Sequence, residues 1–153
     1  MIGIIGAMDE EVEQIVAVMD IKKEETKACM TFKAGILAGK DVVIVRSGIG
    51  KVNAAVCTQI LVDDFGVDYV INTGIAGSLR AEIDIADIVI SSDVLHHDMD
   101  ATGFGYPLGQ IPRMDTLSFK ADERLIELAK ESCAKAVTSV GVHVGRVVSG
   151  DQF

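Results

Sequence analysis

The chain has 153 residues, of which 49% are hydrophobic and 24% charged, and its formal net charge is −9. That length and balance fit one globular domain burying roughly 68–70% of its unfolded surface, and they exclude a disordered chain. Acidic residues spread along the chain repel phosphate backbones and anionic membranes, and no apolar run nears the roughly 20 residues of a membrane helix, which argues against nucleic acid and membrane as partners.

Residues 1–6 (MIGIIG) carry no basic leader or cleavage site, and residues 2–5 read as a strand covered on both faces. Asp9 is placed to cap a helix whose apolar face is Val12, Ile15, Val16 and Met19. Residues 31–37 and 41–45 read as strands joined by a hairpin turn at Ala38, Gly39 and Lys40. A glycine-flanked turn at 47–50 leads into a helix over 51–65, followed by a buried strand over 67–72. Residues 87–91 form a further strand running on towards His97, and the polar loop from Asp98 to Lys120 is long enough to suspect function. Asp122 caps a helix carrying Leu125, Ile126, Leu128 and Ala129, and residues 140–148 are a last strand. This alternation of apolar and amphipathic runs predicts an α/β sheet flanked by helices, in a single domain over residues 1–153. A doubly wound domain normally follows such a strand with another helix and strand, so the domain is expected to be incomplete. Cys29, Cys57 and Cys133 are odd in number and far apart, which predicts small buried hydrophobes in a reducing cytoplasm.

Several short stretches could carry chemistry. Gly6 to Glu11 (GAMDEE) follows the first strand, where open α/β sheets bind ligands. Its three acids suit the positive end of a helix dipole, and Glu11 could instead turn into a cleft and activate water. Residues 47–51 (SGIGK) match neither a Walker loop nor the dinucleotide fingerprint, leaving a plain strand-to-helix turn or a backbone that approaches a small ligand. The small residues of 72–77 (NTGIAG) suit either a planar base or close helix packing. His96 and His97 with Asp98 and Asp100 invite a metal, but adjacent histidines on a strand point to opposite faces and only His143 remains elsewhere, so no metal is expected. The loop around Phe104, Tyr106, Pro107 and Pro112 could anchor a partner or fold back onto its own core.

Taken in order, residues 2–11 (IGIIGAMDEE), 47–52 (SGIGKV), 71–77 (INTGIAG), 97–110 (HDMDATGFGYPLGQ), 119–122 (FKAD) and 148–153 (VSGDQF) resemble the 5′-methylthioadenosine/S-adenosylhomocysteine nucleosidase family, N-terminal two-thirds. The resemblance implies a nucleoside phosphorylase-like fold with a mixed central sheet flanked by helices, truncated after the strand ending near Phe153. It implies a cytoplasmic homodimer that needs no cofactor and hydrolyses the N-glycosidic bond of purine thio-nucleosides, releasing adenine. In that scheme Glu11 activates the water. Met8 and Ile49 contact the 5′-alkylthio group, while Ala76, Gly77 and Phe153 hold the adenine. Phe104, Tyr106 and Pro112 reach into the neighbouring subunit's site. The acid for adenine N7 and the segment gripping the ribose hydroxyls would lie beyond Phe153, so residues 1–153 alone are expected to be inactive. One departure stands out: the family usually has serine where this chain has Ile75, and that hydroxyl helps hold the water.

Two other readings stand beside this one. A purine nucleoside phosphorylase shares the fold but uses phosphate, and a carboxylate facing a phosphate dianion costs several kcal/mol at low local dielectric. The three acids of the first loop therefore favour water. A non-catalytic nucleoside-binding module is the third reading; a purely structural protein leaves the acidic and aromatic loops unexplained.

Overall fold

The computed structural model describes residues 1–152, which fall into two compact units, Met1–Ala76 and a second beginning at Gly77. The first unit contains β1 (Ile2–Gly6), α1 (Asp9–Ala17), β2 (Asp20–Lys27), β3 (Met30–Leu37), β4 (Lys40–Arg46), α2 (Lys51–Phe65) and β5 (Tyr69–Asn72). Its sheet runs β2-β3-β4-β1-β5. The strands β4, β1 and β5 are parallel, and β2, β3 and β4 form an antiparallel meander.

The alternation of side chains along a strand divides the core into two layers. Ile4, Val42 and Ile44 face Val12 of α1 and Met19, whereas Ile5, Val43 and Val45 pack with Phe32, Met30 and the α2 residues Cys57 and Leu61. Helices on both faces explain why residues 2–5 and 42–45 are unbroken apolar runs. Burial pushes the Cys57 thiol up to about 11, which makes it a packing residue rather than a nucleophile.

Two readings of the sequence are corrected in this unit. Asp9 does not cap α1: Met8 is the N-cap residue, with φ −125° and ψ 160°, and Asp9 is already helical, its carboxylate 3.0 Å from Arg46 Nε. The cap is supplied from inside the helix, where Glu11 accepts from the Met8 N–H at 3.0 Å. Cys29 is exposed, because it sits on the turn joining β2 to β3. That turn and the β2 strand itself went unread in the sequence.

The second unit contains β6 (Ile88–His96), a 3-10 turn at Thr102–Phe104, β7 (Phe119–Lys120), α3 (Glu123–Ala136) and β8 (Val142–Ser149), with strand order β7-β6-β8. Asp122 caps α3 as expected, accepting from the Leu125 N–H at 2.9 Å. Sheets flanked by helices in both units bear out the α/β fold class. No helix among the described residues is long and apolar enough to cross a membrane.

Arg146 on β8 clamps Asp93 on β6 through its Nε, 3.0 Å from Oδ2, and its Nη2, 2.6 Å from the same oxygen. The guanidinium holds the Asp93 carboxyl down to about 2, against an ordinary 3.8. A carboxyl depressed on folding stabilises above its unfolded value and loses that contribution as pH falls through its folded value. Arg146→Met is expected to lower stability at neutral pH and to flatten the loss between about pH 4 and pH 2, measured by urea titration at fixed pH values. An unchanged acid profile in that variant would contradict this account of the pair.

Candidate active site

The carboxyl ends of the three parallel strands lie side by side. The Ser47 N–H bonds the Gly6 carbonyl at 2.9 Å and the Thr73 N–H bonds the Ile5 carbonyl at 2.9 Å, so the turns after β4, β1 and β5 are held together. The chain leaves β1 for the far edge, returns beside it at β4 and then crosses to its other side at β5. This reversal around β1 is where open α/β sheets place ligands.

Glu11 stands at that point. Its Oε2 accepts from the Ala7 N–H at 2.6 Å and the Met8 N–H at 3.0 Å, and its Oε1 accepts from the Ile75 N–H at 3.0 Å. Three backbone donors from two turns thus fix one half-buried carboxylate, and no cation shares it among the described residues. A carboxylate so held is a proton acceptor of defined direction. Asp9 and Glu10, the other first-turn acids, are exposed and point to the role the helix dipole gives them.

Met8 is half-buried next to Glu11, Ile49 is 61% exposed on the β4–α2 turn, and Ile75 is 84% exposed with only its amide engaged. Ala76 ends the first unit, exposed; Gly77 opens the second. In the second unit Phe104 is 87% exposed, Pro112 is exposed, and Tyr106 is half-buried with its hydroxyl accepting from the Arg113 N–H at 3.2 Å. Phe153 lies outside the described residues. Structure therefore joins Met8, Glu11 and Ile75 by hydrogen bonds. A separate groove of about 620 Å³ on the α1 face, lined by Asp9, Val16, Lys33, Ile44 and Arg46 among others, does not include Glu11.

Among the described residues no group of three or more His, Cys, Asp or Glu is placed to hold a metal ion. His143 instead pairs with Asp87, its Nε2 3.0 Å from Oδ2. That contact, with bonds from the Asp84 and Gly141 N–H groups, holds the Asp87 carboxyl below its usual range.

The profile of the phosphorylase superfamily matches residues 1–153. The chain belongs to the phosphorylase superfamily. Within it, a 5′-methylthioadenosine/S-adenosylhomocysteine nucleosidase from Marinomonas sp. (strain MWYL1) is 51% identical over 152 residues, covering 99% of this chain and 65% of the relative. The nucleosidase of Neisseria meningitidis, solved in complex with methylthio-immucillin-A, superposes with a TM-score of 0.94 at 42% identity, over 99% of this chain and 65% of that one. The nucleosidase of Colwellia psychrerythraea 34H, solved with adenine, gives 0.92 at 44% identity, over 99% and 62%. These matches bear out the resemblance carried by the six segments. This superfamily member spans 65% of the length of the Marinomonas relative.

What sequence reasoning missed at the site is the donor on Ile75. An amide N–H is present whatever the side chain, so nothing in the residue type marks it. Gly74 was legible only as a small residue, although a Cβ there would lie 2.3 Å from Glu11 Oε1.

Proposed function

We propose that the protein hydrolyses the N-glycosidic bond of 5′-methylthioadenosine and S-adenosylhomocysteine, releasing adenine, with Glu11 as the base that activates water. The observation that carries this reading is the Glu11 carboxylate fixed by three backbone N–H groups at the ends of β1 and β5. The known activity of the superfamily relatives supports it.

Cleavage of such a bond passes through an oxocarbenium-like state, which a nearby carboxylate stabilises. As the bond from C1′ to N9 breaks, its electron pair leaves with the adenine. A water oxygen bonds to C1′ and gives its proton to Glu11. An acid on adenine N7 would neutralise the leaving group, a role assigned to no described residue. Met8 and Ile49 supply apolar contacts for the 5′-alkylthio group, and Ala76, Gly77 and Phe153 a surface for the adenine. No cofactor is needed, since the substrate itself carries the leaving group.

We further propose a homodimer in which Phe104, Tyr106 and Pro112 reach the neighbouring subunit's site; the exposed Phe104 ring supports this, as a large apolar surface suits a partner. A cytoplasmic setting is supported by three cysteines that are all free.

Adenine release from both thio-nucleosides, followed with the protein as its gene encodes it, tests the reading. Release is expected with both, and methylthio-immucillin-A is expected to inhibit at least about 10²-fold below the substrate KM, as transition-state analogues do. Binding without release would leave only a nucleoside-binding module.

A further inference from the structure

The peptide joining Gly74 to Ile75 shapes the base itself. A carboxylate offers about four lone-pair positions. Those on Glu11 Oε2 receive the Ala7 and Met8 N–H groups, at 2.6 and 3.0 Å, and one on Oε1 receives the Ile75 N–H at 3.0 Å. Among the described residues no donor takes the fourth, which is also on Oε1. A Cβ on Gly74 would lie 2.3 Å from Oε1, 2.8 Å from Cδ and 3.1 Å from Oε2, overlapping the first two and crowding the third. Gly74 is not among the residues with positive φ, so a left-handed backbone is not what calls for glycine there. The requirement for glycine there comes from Glu11. The Thr73 N–H, bonded to the Ile5 carbonyl at 2.9 Å, keeps this turn against β1 and so against the base.

We infer that Gly74 and the Ile75 amide are positioning elements of the Glu11 base, Gly74 leaving the space the carboxylate fills and the amide orienting it so that Oε1 takes the proton of water. This rests on the reading of Glu11 as the base and deepens it. The proton passes from water to the free position on Oε1 while the water oxygen bonds to C1′ and the bond to adenine breaks. Oε2, with both positions filled, serves as the anchor.

A double-variant cycle on the protein as its gene encodes it tests the inference. The carboxylate is the end of a flexible side chain and gives way to an added methyl, so Gly74→Ala is expected to fold with the base displaced. Its kcat is expected to fall about 10²-fold with KM little changed, the cost of a misplaced reacting group. In a Glu11→Ala background, adding Gly74→Ala should change the residual kcat by less than about twofold, because the two residues act as a unit. Wild-type kcat in Gly74→Ala, or the same proportional loss in both backgrounds, would overturn the inference. If Gly74→Ala does not fold, the Glu11→Ala/Gly74→Ala protein decides: a folded double variant supports the clash with Glu11, and an unfolded one overturns it. Wild-type kcat in Glu11→Ala alone would remove the base reading itself, a result distinct from an inactive Glu11→Ala beside an unaffected Gly74→Ala.

Discussion

Glu11→Gln is expected to slow adenine release by about 10²–10⁴-fold, the range a positioned general base supplies, with KM changed far less. The glutamine amide has the same shape but cannot accept the proton. It also cannot satisfy all three donors: with its oxygen towards Ala7 and Met8, its NH2 group faces the Ile75 N–H, and the reverse orientation leaves two donors opposed. Steady-state release from methylthioadenosine measures the rate, and a urea midpoint on the same sample shows that the fold has survived. A variant within threefold of wild-type kcat would end the assignment of Glu11 as base.

Phe32→Ala is expected to destabilise the first unit by about 3–5 kcal/mol, the usual cost of deleting a fully buried aromatic ring. Phe32 is 0% exposed and stacks on Phe65 of α2, ring centroids 5.2 Å apart and planes 23° apart. Its removal would leave a cavity between the sheet and the C-terminal turn of α2, bordered by Met30, Val45 and Leu61. Lys27 lies over the Phe65 ring at 5.6 Å, so β2 and α2 also meet through this pair. Chemical denaturation followed by circular dichroism measures the effect, and a loss below about 1 kcal/mol would show that the site collapses to fill the space.

Much of the first unit was legible because burial on two faces leaves a plain mark. The run over residues 42–45 has no polar residue, and α2 was read over its observed span, closed by Gly66 in the left-handed conformation. The β2 strand was not legible. Its sequence, DIKKEETK, has one aliphatic residue, because an edge strand presents charge to solvent and needs little apolar surface. The turn after it hides as well: Ala28 and Cys29 have φ of 48° and 62°, a geometry that Asn-Gly normally announces. The equivalent turn at Ala38 and Gly39, with φ of 48° and 76°, was read because glycine occupies its second position.

The site divides in the same way. Glu11 was legible from its place after the first strand, where a helix-dipole role for the three acids and a water-activating role for Glu11 both stood open. In the fold one carboxylate spans both places: Oε2 caps the helix start and Oε1 reaches the turn after β5. Asp9 misled because a first-turn acid before an apolar face looks like a cap, whereas here the residue three positions into the turn reaches back to Met8. A pairing across 64 residues through a backbone amide has no side-chain signature at Ile75.

In the proposed reaction water, not phosphate, attacks C1′ beside Glu11. Adenine release from methylthioadenosine, measured across a phosphate titration that starts from none, tests it most directly. A rate independent of phosphate and a free methylthioribose product are expected. A rate that vanishes without phosphate, with the sugar recovered as its 1-phosphate, would contradict it.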